Sequence, residues 1–340
     1  MKKTVLSISL LLIILLGAGT AAGYAAVNWW FYKGSSVALA TDAEQPLLFQ
    51  VPRGSNPRRI AQALAADDLI PHAKLNELSF RLFFRGQRVQ AGVYAIRPTD
   101  TAANIWQRIV SGRQHLFSIT FVEGSEFKQW QQQLAEHEHI QVNQDAFTAD
   151  ELASILTDGE HAHVEGLLFP DTYRFYAGTT DLQIYQQAYQ RMQATLSELW
   201  LNRDRSVPVA TPYESLILAS IIEKETGAEE ERALVASVFV NRLRTGMRLQ
   251  SDPTIIYGLG DAYRGVIYRS DIQQTTAYNT YRIDGLPPTP IAMPGRAAIA
   301  ATLAPAESEY FYFVSRNDGT HVFSRTLAEH NRAVQRYQRN

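Results

Sequence analysis

The chain contains no cysteine, which excludes disulfides, thiol nucleophiles, zinc–thiolate sites, iron–sulfur clusters and the lipidated cysteine of a bacterial lipoprotein. An excess of charge is missing too. Lys and Arg number 32 against 34 Asp and Glu, for a formal net of -2, so no polybasic surface for nucleic acid is indicated. The region beyond the N-terminus has no G-x-S-x-G, P-loop or G-x-G-x-x-G string, and so lacks the signatures of an α/β-hydrolase, a P-loop NTPase and a Rossmann enzyme. H-E-x-x-H is absent as well. The pairs His137/His139 and His161/His163 would each put two rings on one face of a strand, but a metal needs a third ligand in register. Neither a metal nor a cofactor is expected.

What is present is a chain of 340 residues, 46% hydrophobic, enough for about two domains of ordinary size. Lys2 and Lys3 precede an uncharged stretch from Thr4 to Tyr32. A helix over residues 5–27 would be about 34 Å long, sufficient to cross a hydrocarbon core of roughly 30 Å. The positive end predicts a cytoplasmic tail, residues 1–4, with everything after the span on the far side of a cell inner membrane; Trp29, Trp30, Phe31 and Tyr32 read as an interfacial aromatic belt. A cleaved signal peptide is the rival, but its apolar region runs only about 7–15 residues. Residues 28–46, polar in their later part, read as a linker.

Two units follow. In residues 47–113, LLFQVPRG and QAGVYAI read as strands, with NPRRIAQALAADDLI and HAKLNELSFRLFFRG as helices between them and TDTAANIWQRIVSG as a third helix ending at Gly112. This small module has no convergent carboxylates or histidines and suits binding. Residues 114–340 begin with strand-like LFSITFVEG and HVEGLLFPDTYRF, then turn helical. Thr211, Pro212 and Glu214 form a capping signal before LILASII, and EEERALVASVFVNRLRTG is a second helix with acids at its start and arginines at its end. YFYFVS and HVF around Asn317, Asp318 and Gly319 predict a hairpin, and a last helix opens near Thr326. The fold class is therefore α+β.

Candidate chemistry gathers in the larger unit. Glu223 ends an uncharged helical run, and partial desolvation there favours the neutral form of a general acid; pairing with an arginine at the helix end is the plainer alternative. Glu225, two positions on, is expected on nearly the opposite face. In MRLQSDPTIIYG, Asp252 and Pro253 look like the start of a helix, where Gln250, Ser251 and Thr254 offer amide and hydroxyl groups suited to sugars. Tyr278, Asn279 and Tyr281 precede a loop stiffened by Pro287, Pro288, Pro290 and Pro294.

The strings EGLLFPDTY, LASIIEKETG, ERALVASVFVNRLRTGMRLQSDPTIIYG, AYNTYRIDGLPPTPIAMPG and HVFSRTLAEHN, in this order, resemble the MltG (YceG-like) family of membrane-anchored endolytic murein transglycosylases. The resemblance implies a LysM-like module over 47–113, although the usual D-T-L of LysM is replaced around Asn56 and Pro57. It implies a catalytic domain over 114–340 that cleaves the β-1,4 bond between N-acetylmuramic acid and N-acetylglucosamine in nascent glycan strands, leaves 1,6-anhydro ends and so terminates elongation. The family's catalytic glutamate is expected at Glu223, with Gln250, Asp252, Thr254, Asn279 and Glu165 lining the groove. Implied partners are peptidoglycan strands and peptidoglycan synthases or other elongation and division proteins. A hydrolytic muramidase using Asp252 or Glu225 to activate water, or a non-catalytic wall-binding scaffold, are the alternatives.

Overall fold

The structure is a computed structural model that describes residues 2–34, 46–143 and 146–338. Two compact units divide the chain, one of residues 1–117 with 175–177 and one of 118–174 with 178–340. The first opens with helix α1 (Lys2–Trp29), which passes into a wider π-turn over Trp30–Gly34. After it come β1 (Leu47–Val51), α2 (Pro57–Ala66), α3 (Ala73–Phe83), β2 (Gly92–Ile96) and α4 (Ala102–Ser111).

Local chemistry explains these elements. Asn56 caps α2 by accepting the Arg59 N–H at 2.9 Å, and Pro57 takes the first helical position, where its missing donor costs nothing. The residues that depart from the LysM pattern therefore perform an ordinary capping task. β1 and β2 pair antiparallel with Phe49 opposite Tyr94, so the two helices lie between the paired strands in sequence. Trp106 is fully buried at the centre, its ring 4.6 Å from Phe80 and its Nε1 donating to Asn76 Oδ1 at 3.4 Å. Asp100, before α4, receives two bonds from the Arg108 guanidinium at 2.7 and 2.8 Å; hydrogen bonds and charge from that partner hold its carboxyl below the usual range against the opposing effect of burial.

The predicted aromatic belt is corrected at one position. Phe31 is 0% exposed and packs in this same core, stacked on Phe83 at 5.3 Å and edge-on to Phe84 at 6.1 Å. Burial of an aromatic this large stabilises more than an interfacial berth does, and the chain stays helical to Gly34, so residues 28–34 do not form linker. The rest of the predicted linker, 35–45, lies outside the described residues.

The second unit begins at the strand pair β3 (Phe117–Thr120) and β5 (Thr172–Phe175). Between them lie α5 (Phe127–Glu136), β4 (Ile140–Gln141) and α6 (Ala149–Thr157). β4 runs parallel to β6 (Thr179–Thr180), which leads into α7 (Asp181–Leu201). The predicted strand over 163–171 is corrected: those residues are irregular, with a turn at Glu165 and Gly166, and the strand starts at Thr172. Gly166 sits at φ +78 with Pro290 so near that a Cβ would fall 2.3 Å from its ring; a residue with a side chain fails there on both counts.

The core of this unit is α8 (Pro212–Glu225), in which every residue from Ser215 to Ile222 is buried. Such an all-apolar helix needs neighbours on every side, and α8 packs against α7, α9 (Glu229–Arg244), α10 (Asp252–Leu259) and α12 (Arg296–Leu303). A short α11 (Arg269–Gln273) precedes the proline-rich loop. The chain closes with the antiparallel hairpin β7 (Tyr312–Ser315) and β8 (His321–Ser324), followed by α13 (Leu327–Gln338).

Trp106→Ala should cost the first unit about 3–5 kcal/mol, the range for removing a buried large aromatic. Amide exchange over residues 47–113 of the full chain measures it; unchanged protection would mean that the core does not depend on this ring.

Candidate active site

Helix α8 ends in Glu223–Lys224–Glu225, and its last turn sends the two glutamates to different surroundings. Glu223 accepts the Gly295 N–H at 2.9 Å and faces Arg232 at 3.9 Å, with its side chain 7% exposed. Gly295 is the residue that opens α12. The carboxylate therefore sits at a helix N-terminus, where backbone donors and the dipole favour an anion. Burial raises its pKa and Glu123 adds to that, while Gly295, Arg232 and Lys224 oppose them. In this position Glu223 ties α8 to α12 and α9.

Glu225 lies at the floor of a cavity of about 610 Å³. The wall is built by Gln250 and Asp252 before and at the start of α10, Tyr281 from the following loop, Arg242 from α9, Tyr312 and His321 from the hairpin, and His330 from α13. Ser251 Oγ donates to Glu225 Oε1 at 2.5 Å, and the Tyr281 hydroxyl donates to Asp252 Oδ1 at 2.7 Å. Burial is the main reason that the Glu225 carboxyl is pushed up to about 7; the negative Asp252 adds to the rise, whereas Ser251 and Arg242 oppose it. Arg242 is itself pinned, donating from Nε to the Phe311 carbonyl at 2.7 Å and from Nη1 to the Leu249 carbonyl at 2.5 Å. Glu225 thus shares its cavity with Gln250 and Asp252 while Glu223 meets Gly295 and Arg232, the different surroundings expected of residues two apart on a helix.

Thr254 and Asn279 serve from behind the wall. Thr254 is 0% exposed and donates to the Ser251 carbonyl at 2.6 Å, and its Oγ1 lies 2.8 Å from that of Thr280. Asn279, 1% exposed, spends its amide hydrogens on the carbonyls of Asp271, Ile272 and Gln274. Both therefore fix the corner that presents Ser251 and Asp252. Glu165 stands elsewhere, accepting the Phe127 N–H at 3.2 Å and the Tyr257 hydroxyl at 3.3 Å; burial pushes its pKa to about 8. The helix predicted to begin at Asp252 does so, with Ser251 as its N-cap.

Sequence reasoning missed Arg242, Tyr312, His321 and His330 as cavity residues. His321 Nδ1 lies 2.8 Å from Glu231, and His330 stacks on Tyr312 at 5.2 Å, where burial lowers its pKa. The histidine pairs singled out in the sequence are not on strands: His137 follows α5, and His161 stacks on Tyr213 at 4.3 Å. Among the described residues no group of three or more His, Asp or Glu is placed to hold a metal.

Comparison with known proteins gives this arrangement its relatives. Residues 49–336 match the YceG-like family, and the chain belongs to that family. The endolytic murein transglycosylase of Bacillus subtilis is 30% identical over 326 residues, covering 90% of this chain and 89% of the relative. A protein of the same name from Streptococcus pneumoniae strain R6 is 26% identical over 96% of this chain, which spans 63% of that longer protein. The crystal structure of a YceG-like protein from Listeria monocytogenes, at 26% identity, superposes with a TM-score of 0.53 over 85% of this chain and 99% of the other.

A buried carboxyl with a raised pKa makes stability pH-dependent. The folded chain holds the Glu225 proton up to about 7, whereas the unfolded chain releases it near the ordinary value of 4.5. The wild type therefore loses stability relative to Glu225→Gln as pH rises from about 4.5 through about 7. Thermal melts at roughly pH 4 and pH 8, on either side of that window, check this: the variant should gain on the wild type only on the alkaline side, and an equal difference at both would place the ionisation elsewhere.

Proposed function

We propose that the chain cleaves peptidoglycan glycan strands internally with Glu225 as general acid and then base. The class is given by its relatives: the chain is an enzyme, a lytic transglycosylase. The assignment of the acid rests on one observation, that Glu225 is the carboxyl with a raised pKa on the floor of the cavity that also presents Gln250, Asp252 and Tyr281. Amide, carboxylate and phenol groups at a cavity wall suit sugar hydroxyls and acetamido groups, and Tyr312 and Phe313 supply faces for the apolar sides of the rings.

In this reading protonated Glu225 gives its proton to the glycosidic oxygen as the bond to C1 of N-acetylmuramic acid breaks. The resulting carboxylate takes the proton of the muramic C6 hydroxyl, whose oxygen closes on C1. A 1,6-anhydro end and a free 4-hydroxyl result, no water is consumed, and the enzyme recovers its proton. Positive charge developing on the sugar is met by Asp252, held in place by Tyr281. Cutting nascent strands in this way sets where they end.

Two other readings have specific support. Asp252 in the same cavity is a carboxylate that a hydrolytic muramidase would use to activate water. Glu223 is the residue the family resemblance implies, and its pKa is raised too. Glu225→Gln should lower cleavage of purified glycan strands by ~10²–10⁴, while Glu223→Gln retains most turnover. The opposite pattern would transfer the role to Glu223. Mass spectrometry of the products separates the chemistries: fragments one water lighter than hydrolytic ones support the transglycosylase reaction, and dominant reducing ends overturn it.

The site reaches its substrate if α1 spans the inner membrane once with its N-terminus inside. The apolar run and its flanking Lys2 and Lys3 support that reading, as they do an encounter with membrane-bound synthases. The order β1–α2–α3–β2 supports a LysM-like role for the small module in holding glycan. A reporter fused after Asn340 should behave as exported and stay in the membrane fraction; a soluble mature chain would contradict the anchor.

A further inference from the structure

Helix α3 of the small module carries an exposed stripe of Lys74, Leu78, Arg81, Leu82 and Arg85 along and just beyond it. Spacings of four, three and one put Lys74, Leu78, Arg81 and Leu82 on one helical face, and Arg85 follows in the turn past Phe84; Arg81 is paired with Glu77 at 2.6 Å. Leu78 is 54% and Leu82 45% exposed, so two large aliphatics alternate with cations on a face that nothing in the module covers. The next residue, Phe83, contacts not only Phe31 but Tyr24, with ring centroids 5.7 Å apart. Tyr24 belongs to the apolar helix itself, three residues inside the end of the 5–27 span, or about 4.5 Å at 1.5 Å per residue. The C-terminal end of α3 is thus held beside the last turns of the apolar helix α1.

Charge points the same way. Residues 46–117 carry ten Lys and Arg against four Asp and Glu, whereas residues 118–340 carry nineteen against twenty-eight. The near-neutral total conceals a basic module directly after the apolar helix, where a bilayer with anionic headgroups attracts cations.

From these placements we infer that the α3 face lies on the bilayer, with Leu78 and Leu82 entering the headgroup–acyl boundary and Lys74, Arg81 and Arg85 meeting lipid phosphates. The inference rests on the reading of α1 as a membrane span. It gives the module a second task, fixing its orientation at the membrane surface in addition to any hold on glycan. An amphipathic helix alone binds an interface only weakly to moderately. Here α1 has already brought it there, so the apolar and basic contacts need only set its tilt.

The absence of cysteine makes the test direct, because any introduced cysteine is unique. Full-length chains bearing Ile13→Cys, Leu78→Cys, Leu82→Cys or Asp318→Cys are spin-labelled and reconstituted in vesicles of phosphatidylcholine with phosphatidylglycerol. Collision rates with oxygen and with a water-soluble nickel chelate are then compared. Labels at 78 and 82 should favour oxygen, between the deep label at 13 and the aqueous one at 318, and should shift toward the chelate when Arg81 and Arg85 are both changed to Glu. If label 13 is deep while 78 and 82 match 318, the face is in water, free for glycan or protein, and the inference fails while the anchor stands. If label 13 is itself aqueous, the span reading fails and the inference with it.

Discussion

The site depends on one constraint, that a carboxyl group ends a helix which is apolar on every side. Helix α8 must be surrounded to exist in water, and the elements that surround it leave its C-terminal residue facing a cavity rather than bulk solvent. Desolvation of that residue is a by-product of the packing of the whole unit. It is also what brings the carboxyl toward neutrality, where a proton is available to a leaving oxygen. The neighbouring groups are arranged about this condition. Ser251 donates to Glu225, the buried bonds of Thr254, Thr280 and Asn279 hold the Ser251–Asp252 corner, and Arg242 is anchored on carbonyls of the hairpin's approach and of that same corner.

Much of the fold was legible in the sequence because it is written in local signals. Thr211 and Pro212 fixed the start of α8, Asn317–Asp318–Gly319 the turn between β7 and β8, and Gly112 the end of α4. Which surroundings Glu223 and Glu225 each meet was not legible, for a physical reason. A helix with an amphipathic stripe shows which side meets its neighbours, but α8 has none, so the sequence cannot say which glutamate meets a cavity and which meets Arg232 and the start of α12. Thr254 and Asn279 are ambiguous in a related way, since a polar side chain suited to a sugar is equally suited to a buried backbone carbonyl. Tyr312, His321 and His330 approach Glu225 from about 90–105 residues away in the chain, and no local pattern records such an approach.

The N-terminal unit applies the same physics to placement rather than chemistry. An apolar helix, charged only at Lys2 and Lys3, runs without a break into a packed core by way of Phe31 and so ties the module to itself. A flexible tether at that junction would let the module turn freely, whereas a helix ending in a buried aromatic fixes the module's orientation relative to the helix. The acidic second unit carries the cavity, and the excess of basic residues falls in the small module.

The central claim is that Glu225 delivers the proton, and the pH dependence of kcat/KM on glycan strands addresses it most directly. A general acid is active only while protonated. The wild type should therefore hold a plateau on the acid side and fall about tenfold per pH unit above about 7, and the residual activity of Glu225→Gln should lack that limb. A wild-type profile that begins to fall near the ordinary carboxyl value, or the same limb persisting in Glu225→Gln, would contradict the account.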